Sequence, residues 1–387
     1  MRILQVHTRY RQPGGEDAVV ETEGRILEEA GHTVATHLME NPERLGATLG
    51  SLARAPWNTE GAREVLETAR RFRPDVVHVH NTWFALSPAV FPTLKNAGFP
   101  VVATIHNFRL TCVNALLYRD GGPCMDCVGR SPWPGVQHRC YRRSAIQSGV
   151  VAVTIATHRR RRTFEKDVDR MIVLTRFAVD VLARAGVPEK LMVVKPNAVE
   201  DPGARSMPPS GARSILFVGR ITEEKGVMDL VDAWGKSDRP GLDLVVIGDG
   251  PLLEDVRARA GHGVEVLGAL PRTEVRRRML GARALVLPSR WFEGMPMVLL
   301  EAMAAGLPVV VPDHGAMVEI AGSGGIPFRA LDIGSLAGAL DQLADDELAD
   351  RLGASSRASY LDRYTPDASA KALLETYALV TSRVTGM

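Results

Sequence analysis

Short apolar runs alternate with longer helical patterns along this 387-residue chain. Each run is rich in Val, Ile and Leu and is bounded by Gly, Pro, Asn or Asp, which is typical of strands buried on both faces of a parallel sheet. Repeated strand–helix units predict a doubly wound α/β architecture with right-handed crossovers. The predicted strands cover residues 3–6, 76–79, 101–105, 171–174, 191–194, 215–218, 244–247, 264–267, 284–287 and 309–311. The predicted helices between them include residues 19–30, 61–72, 176–185, 227–234 and 273–281.

One segment, residues 200–213, interrupts this alternation with three prolines, two glycines and no periodicity, which predicts a linker. The chain is also longer than one hydrophobic core usually serves. We therefore predict a first domain over residues 1–199, with a cysteine-rich insertion at 107–143, and a second over 214–365. The final stretch, 366–387, either stays with the second domain or crosses back to the first. Ligands of such sheets bind at the carboxyl ends of strands, so a cleft between the two sheets is the expected site.

Composition limits the partners of the protein. It is 45% hydrophobic and 24% charged, and its net charge of +2 argues against a dedicated nucleic-acid binder. The sequence contains no apolar stretch of the roughly 18 residues that a transmembrane helix needs, and its N-terminus reads as a strand rather than a signal peptide. We therefore expect a cytoplasmic protein with reduced cysteines.

An apolar stretch at residues 145–157 is followed by the basic sequence HRRRR at 158–162. The favoured interpretation is a core helix followed by a solvated basic turn. The alternative is a helix that rests peripherally on the anionic inner face of a membrane, or that binds the phosphates of a lipid-linked acceptor.

The segment 292–308, FEGMPMVLLEAMAAGLP, predicts a helix whose start suits an anion. Pro296 fits the first helical turn, and the pattern continues through Ala305 and ends at Gly306. Backbone N–H groups at a helix start favour phosphate, and Gly294 lets a ligand approach the backbone closely.

Two carboxylates bracket this predicted helix start, Glu293 before it and Glu301 within it. They can accept hydrogen bonds from hydroxyls on either side of a phosphate group, which matches the layout of hexose, diphosphate and ribose in a nucleotide-sugar. Arg220 and Lys225 follow another predicted strand and form a candidate diphosphate clamp. A tight turn at Gly248 follows a third strand. The alternative for each of these features taken alone is a solvated loop or helix residue.

With these motifs the sequence resembles the retaining glycosyltransferase family 4, which has the GT-B fold of two Rossmann-like α/β domains facing a cleft. The resemblance spans nearly the whole chain. The matching motifs are PGGED at 13–17, HNFRL at 106–110, GRITEEKG at 219–226, VIGDGP at 246–251, VLGALPR at 266–272 and EGMPMVLLEAMAAGLPVV at 293–310.

The resemblance implies a role for each matching residue. His106 would lie at the reactive side of the sugar and Glu293 would bind the sugar hydroxyls, which makes these two the catalytic candidates. Asn107 stands where many relatives have Asp. The remaining implied roles belong to the donor site, which binds a UDP- or GDP-sugar: Gly14, Gly15, Arg220, Lys225, Gly248, Leu267, Gly294, Met295, Pro296 and Glu301.

The resemblance also implies a hexosyl transfer with retention, to a glycan, lipid-linked or secondary-metabolite acceptor. The sequence contains no D-x-D-like motif, and the Arg–Lys pair can neutralise the leaving phosphate, so we expect no catalytic metal. Two alternatives stay open: a phosphorylase-like enzyme of the same fold, and a non-catalytic nucleotide-sugar-binding protein.

The four cysteines of the chain fall within one loop-like interval, at Cys112, Cys124, Cys127 and Cys140. A C-x-x-C core with one outer cysteine on each side suits tetrahedral Zn²⁺, so we predict a structural zinc site. Buried thiols, disulfides and an iron–sulfur cluster are the alternatives.

Overall fold

The computed structural model describes residues 1–9, 14–41 and 54–382. Pro13 of the PGGED motif and residues 383–387 of the predicted final stretch lie outside them. The chain divides into two compact units. The first consists of Met1–Leu117, Met125–Pro196 and Asp367–Met387, and the second of Tyr118–Cys124 and Asn197–Pro366.

Strands and helices alternate through the first half of the chain. Its strands are β1 Arg2–Arg9, β2 Thr33–Glu40, β3 Val76–Asn81, β4 Val101–Ile105, β5 Tyr118–Arg119, β6 Gly122–Pro123, β7 Arg170–Val173 and β8 Met192–Val194. Its helices are α1 Gly15–Glu29, α2 Thr59–Phe72, α3 Val90–Asn96, α4 Trp133–Gln137, α5 Ala145–Arg161, α6 Thr163–Lys166 and α7 Arg176–Arg184.

The second half continues the same alternation and ends in two longer helices. Its strands are β9 Ser214–Val218, β10 Asp243–Ile247, β11 Val264–Gly268, β12 Ala284–Val286, β13 Val309–Pro312 and β14 Gly325–Phe328. Its helices are α8 Val227–Trp234, α9 Leu253–Arg259, α10 Arg272–Leu280, α11 Met297–Ala304, α12 Met317–Ala321, α13 Ile333–Asp341, α14 Asp346–Arg363 and α15 Pro366–Thr381.

Each unit contains one six-stranded parallel sheet. The strand order is β2-β1-β3-β4-β7-β8 in the first and β11-β10-β9-β12-β13-β14 in the second. The order reverses beside β1 in the first sheet and beside β9 in the second. The prediction of two doubly wound parallel sheets is confirmed, and each reversal creates a crevice at the carboxyl ends of its strands where such folds bind ligands.

The first sheet is covered by helices on both faces because successive strand residues point to opposite sides. Leu4, Val77 and Ala103 pack in one core cluster with side chains of α2 and α3. Their neighbours Ile3, Val76 and Val102 pack in another, which includes Leu27 of α1 and Leu373, Tyr377 and Val380 of α15. The last helix therefore contributes to the core of the first unit. One face of the second sheet packs in a cluster that includes Phe217, Trp234, Val246 and Leu340.

Candidate active site

The loops after β9, β10 and β11 meet at one edge of the second sheet, the edge formed by the carboxyl ends of its strands. The N–H of Gly219 donates to the carbonyl of Ile247 at 3.0 Å, and the N–H of Gly248 donates to the carbonyl of Gly268 at 2.8 Å. Leu267 belongs to the end of β11, so three of the predicted donor-site loops lie side by side. This edge includes the position where the strand order reverses.

Lys225 and Glu293 form an ion pair at this edge. Lys225 Nζ lies 2.7 Å from Glu293 Oε1, and the hydroxyl of Ser289 donates to the same carboxylate oxygen at 2.7 Å. The Glu293 side chain is only 5% exposed and that of Lys225 16%. The ammonium also lies 5.3 Å from the centroid of the Trp291 ring. A buried carboxylate requires partners of this kind. The ion pair also places a cation, Lys225, next to a hydrogen-bond acceptor, the Glu293 carboxylate.

Two glycines let these loops pack backbone against backbone. Gly226 has φ +70°, and a Cβ there would lie 2.0 Å from the carbonyl oxygen of Pro288. Gly248 has φ +149°, and a Cβ there would lie 1.8 Å from the carbonyl oxygen of Gly219. A side chain at either position would force the loops apart, so glycine is required by both space and conformation.

Arg220 and Glu301 pair with other residues in this structure. The guanidinium of Arg220 lies 3.5 Å from Glu224 Oε1 and its side chain is 66% exposed. Glu301 accepts a hydrogen bond from Arg272 at 2.9 Å. The structure therefore brings Lys225 and Glu293 into direct contact, whereas Arg220 and Glu301 each form a separate ion pair.

The segment before α11 differs slightly from its prediction. Pro296 has ψ 120° and caps the helix, so α11 begins at Met297 and ends at Ala304, and Gly306 follows with φ +67°. Met295 is 9% exposed, and its sulfur accepts the N–H of Asn197 at 3.1 Å. Gly294 lies between Met295 and the buried Glu293. The first N–H groups of α11 have no carbonyl partner within the helix, as at any helix start.

In the first unit, His106 follows β4 and stacks on His80 of β3. His80 Nδ1 lies 3.2 Å from His106 Nε2, and the ring centroids are 5.5 Å apart. Burial lowers the pKa of His106, although the nearby carboxylates of Glu16 and Glu23 oppose this shift. Burial also holds the pKa of His80 well below its ordinary value. Both pKa shifts favour the neutral form of the rings, in which a nitrogen of one ring can donate its N–H to the other.

Gly14 and Gly15 form the start of α1, next to the end of β1. Asp17 holds this turn, because its carboxylate accepts the N–H of Gly14 at 2.8 Å and lies 2.8 Å from Nε2 of His7. His7 is 1% exposed. The glycine turn at the start of α1 is thus held against the end of β1. The strand order of the first sheet reverses beside this strand.

A buried charged group behind these histidines was missed by the sequence analysis. Glu23 of α1 contacts the ammonium of Lys195, and His80 Nε2 lies 3.7 Å from Glu23 Oε2. Nearby, the two ring nitrogens of His78 lie 2.8 Å from Tyr377 Oη and 2.7 Å from Thr104 Oγ1. His7, His78 and His80 belong to β1 and β3, and neither Glu23 nor Lys195 carries a sequence signal.

Glu23, His78 and His80 place three potential metal-ligating atoms within 4.8 Å of one another, alone in this among the residues described. Their other contacts do not suit a metal. Both nitrogens of His78 are engaged in hydrogen bonds, and the Lys195 ammonium already neutralises Glu23. The group is better described as a buried ion pair flanked by histidines.

The structure does not support the predicted zinc site. Cys112, Cys127 and Cys140 belong to the first unit and Cys124 to the second. The three first-unit sulfurs do not converge to ligating distance within the described part of the chain. The Cys112 thiol instead donates to Asn114 Oδ1 at 2.9 Å, and burial raises its pKa. Sequence spacing alone therefore overstated the case for zinc.

The apolar stretch 145–157 and the basic residues as far as Arg161 form one helix, α5, so most of the predicted basic turn is helical. Its Val151, Ala152 and Ile155 are buried in a core cluster with Trp83 and Phe84. Within the described ranges, we find no helix that combines the length and the apolar character required to cross a membrane.

Comparison with known proteins agrees with this architecture. The family model for Glycosyltransferase Family 4 matches residues 13–201, and the model for Glycosyl transferases group 1 matches residues 212–346. Structural neighbours at low identity share the fold over nearly the whole chain. A sucrose-phosphate synthase from Thermosynechococcus elongatus has a TM-score of 0.71 at 17% identity, with 99% of each chain covered. The HepE protein of Anabaena in complex with UDP has a TM-score of 0.69 at 16% identity, covering 98% of this chain and 100% of its own.

Some curated relatives are similar over about 70% of the chain. A glycogen synthase of Mycobacterium tuberculosis is 29% identical over 297 residues, which is 73% of this chain and 63% of that protein. A 2-deoxystreptamine glucosyltransferase of Streptomyces kanamyceticus is 26% identical over 69% of this chain and 66% of its own length. The chain thus spans less than two thirds of the mycobacterial relative.

Two parallel six-stranded sheets, with polar groups gathered where the strand order reverses, define an α/β protein of the GT-B fold. The two family models account for most of the chain between residues 13 and 346. The chain belongs to the GT-B glycosyltransferases.

Proposed function

We propose that this protein transfers a hexose from a nucleotide-diphosphate sugar to a glycan, lipid-linked or small-molecule acceptor, with retention at the anomeric carbon. The observation that carries the proposal is the Lys225–Glu293 contact at the carboxyl edge of the second sheet. A cation that grips a diphosphate and a carboxylate that accepts sugar hydroxyls are the two groups that a nucleotide-sugar site needs next to each other. HepE, a structural neighbour, is described in complex with UDP and with UDP-glucose, which supports this donor class.

The Lys225 ammonium neutralises charge on the leaving diphosphate in this proposal, together with the N-terminal N–H groups of α11. Both act where negative charge develops as the glycosidic bond breaks, and both are already in position before the reaction. Arg220, which is largely exposed, turns from Glu224 toward the phosphates. Glu301 exchanges its Arg272 partner for the ribose, and Leu267 contacts the base.

Glu293 orients the sugar through its hydroxyl groups, which holds the anomeric carbon for attack. The donor's own phosphate accepts the proton of the attacking acceptor hydroxyl on the same face, so that the configuration is retained. His106, neutral near pH 7, interacts with the reactive side of the sugar. The two cationic side chains supply the charge neutralisation that a catalytic metal would otherwise give.

A donor screen combined with one substitution tests this function. Wild-type protein is incubated with a panel of UDP- and GDP-sugars, and release of the nucleoside diphosphate is measured. We expect turnover with at least one donor, and a loss of about 100-fold or more in Glu293→Gln, because a preorganised transition-state contact typically has this effect.

Glu254→Gln, which changes an exposed glutamate of the same unit, is the matched control and should keep full turnover. Release that stays near the wild-type rate in Glu293→Gln, or that requires free phosphate rather than a nucleotide-sugar, would contradict the proposal.

A further inference from the structure

Basic side chains are concentrated in one part of the first unit. Residues 127–164 contain eight of the 47 basic side chains of the protein and none of its 45 acidic ones. The rest of the chain is therefore net acidic, although the protein as a whole carries +2. A segment with one sign of charge produces a local positive potential that the net charge conceals. The eight basic residues, called here the arginine block, are all arginines, at positions 130, 139, 142, 143, 159, 160, 161 and 162.

The arginine block lies mainly at the surface, and most of its charge is not neutralised. Seven of the eight side chains are exposed, and Arg159 is half-buried. Among the residues that the structure describes, Arg162 is the one member of the block that pairs with a carboxylate, its Nε lying 2.8 Å from Glu165 Oε2. Arg161 instead lies over the ring of Trp57, 4.4 Å from its centroid. The positive charge is therefore available to an anionic partner.

Helix α5, which lies within the same segment, has apolar residues on two opposite faces. One face is buried, because Val151, Ala152 and Ile155 pack in a core cluster of the first unit. On the other face, Ile146 is 73% exposed and Val153 is 55% exposed. Residues seven apart lie on the same face of an α-helix, so these two side chains share the outward face of α5. A helix that is apolar on all sides is ordinarily covered on all sides.

Exposed arginines lie at both ends of this outward face. Arg142 and Arg143 come just before the helix, and Arg160 follows Val153 by seven residues, which places it on the same face. The helix has 17 residues, so its two ends are roughly 25 Å apart. The outward face of α5 thus carries apolar side chains in the middle and positive charge at either end.

The neighbouring helix α4 adds an exposed aromatic residue. Val136 of α4 packs against the cluster that contains Val151 and Ile155, so α4 lies beside α5. Trp133, at the start of α4, is 59% exposed. Trp is enriched where a protein meets the interface between water and a bilayer, because its ring is apolar and its N–H is polar.

We propose that the outward face of α5, together with Trp133, is a docking surface for an anionic lipid bilayer. The exposed arginines contact lipid phosphates, and Ile146, Val153 and Trp133 enter the boundary between head groups and acyl chains, with α5 lying in the plane of the bilayer surface. A nucleic acid would bind the arginines and leave the apolar side chains in water, so the combination of the two favours a bilayer. This inference does not depend on the donor site or on the proposed transferase function.

Vesicle flotation of the full-length protein tests the docking surface. Vesicles of phosphatidylcholine alone are compared with vesicles of phosphatidylcholine and phosphatidylglycerol in equal amounts. We expect binding to the anionic vesicles to be tighter by about ten-fold or more, and to weaken as salt is added, because the arginines are exposed to solvent. Equal binding to both kinds of vesicle, or no binding to the anionic vesicles, would overturn the proposal.

Removal of charge from the docking surface tests where the bilayer binds. A triple variant with Arg142→Gln, Arg143→Gln and Arg160→Gln should bind anionic vesicles about ten-fold or more weakly than the wild type, since each exposed arginine near the surface adds to the attraction. None of these three side chains pairs with a carboxylate among the described residues, so the fold should be kept. Circular dichroism and thermal unfolding check this.

The matched control removes the same charge from α2, another helix of the first unit. It carries Arg63→Gln, Arg70→Gln and Arg71→Gln, all at exposed positions. Its binding to anionic vesicles should stay within about two-fold of the wild type, because charges away from the contact are screened by salt. Equal loss of binding in the two triple variants would show that net charge rather than the docking surface is responsible, and would overturn the proposal.

The apolar part of the docking surface is tested with every charge retained. A double variant with Ile146→Gln and Val153→Gln should weaken vesicle binding by about five-fold or more, because less apolar area leaves water. The control double variant, Val318→Gln and Leu361→Gln, changes exposed apolar residues of the second unit and should bind as the wild type does. Wild-type binding in the Ile146→Gln, Val153→Gln protein would overturn the insertion of α5 into the bilayer.

Titration with duplex DNA and with single-stranded RNA separates the membrane from the other anionic surface that arginines bind. We expect neither polymer, at equal phosphate concentration, to bind as tightly as the anionic vesicles. A nucleic acid that binds more tightly than the vesicles, and that loses affinity in the Arg142→Gln, Arg143→Gln, Arg160→Gln protein but not in the Ile146→Gln, Val153→Gln protein, would assign the arginine block to nucleic acid and overturn the proposal.

Discussion

Glu23 and Lys195 form an ion pair inside the first unit, with 3% and 1% of their side chains exposed. Burial alone would raise the pKa of Glu23, but attraction to Lys195 and to the nearby histidines lowers it, so the carboxylate stays ionised. The pair lies behind His80, which contacts His106. A change here therefore affects both folding and the position of the catalytic candidate.

Lys195→Met should destabilise the first unit by about 3–5 kcal/mol, because it leaves the Glu23 charge buried without a partner. Urea denaturation measures the loss. Adding Glu23→Gln in the same chain should recover most of it, since the uncompensated charge is then removed.

Lys190→Met is the control for this change, because Lys190 is exposed and close in sequence. It should alter the free energy of unfolding by no more than about 0.5 kcal/mol. A Lys195→Met protein as stable as the Lys190→Met protein would show that the buried pair does not hold the unit together.

Individual site residues were only partly accessible from the sequence. Lys225 and Glu293 lie in motifs whose spacing and strand context are enough to indicate their chemistry. Glu23 is a charged residue of a predicted helix, and such residues are expected to be solvated. Only the packing of α1 against the sheet shows that Glu23 is buried. The cysteine spacing pointed to zinc, yet no three cysteine sulfurs converge among the described residues, and the buried Cys112 thiol donates to Asn114 instead.

Among the elements, the loops after β9 and β12 depend on close backbone contact. Gly226→Ala places a Cβ 2.0 Å from the carbonyl oxygen of Pro288, at a φ of +70°. The loops must separate, so we expect a loss of about 2 kcal/mol or more in stability and weaker donor binding, because Lys225 is displaced from Glu293.

Gly235→Ala is the matched control at the end of α8. Its φ is −69°, and the nearest atoms to a Cβ there are 3.8 Å away, so alanine fits. Thermal unfolding measures the stability of the two variants, and nucleotide titration measures their affinity for the donor. Equal melting temperatures and equal donor affinities for both variants would refute the role given to Gly226.

Sequence periodicity identified the central strands and two of the four edge strands, β8 and β11. The ten predicted runs overlap strands of the two sheets, but β2 and β14 were not predicted. Both lie at sheet edges. β2 has a half-exposed alternation of polar and apolar residues, and β14 contains a proline with an exposed side chain. A buried parallel strand is typically a continuous apolar run, and β2 and β14 lack that signal.

For the molecule as a whole, the sequence predicted two parallel sheets but carried less information about how the chain is shared between the units. The hairpin β5–β6 is grouped with the second unit although the chain on both sides belongs to the first. Its Tyr118 hydroxyl donates to Glu223 Oε1 at 3.2 Å, and burial together with that carboxylate raises the pKa of Tyr118 to about 12. Such long-range contacts produce no local periodicity in the sequence from which they could be predicted.

The segment predicted as a linker is packed against the second unit. Arg205 donates hydrogen bonds to the carbonyls of Met279, Ala282 and Ala305, at 3.3, 2.5 and 3.2 Å respectively. Proline and glycine content indicates an irregular backbone, but it does not reveal which side chains anchor that backbone.

Calorimetric titration with UDP and GDP tests most directly whether the second unit holds a nucleotide-diphosphate donor at Lys225. We predict that one of the two nucleotides binds the wild-type protein, and that Lys225→Met weakens its binding by about ten-fold or more through loss of a charge-assisted contact. Lys236→Met, an exposed lysine of the same unit, should bind as the wild type does. Affinity that is equal in Lys225→Met and wild-type protein, or no binding of either nucleotide to the wild type, would contradict the account.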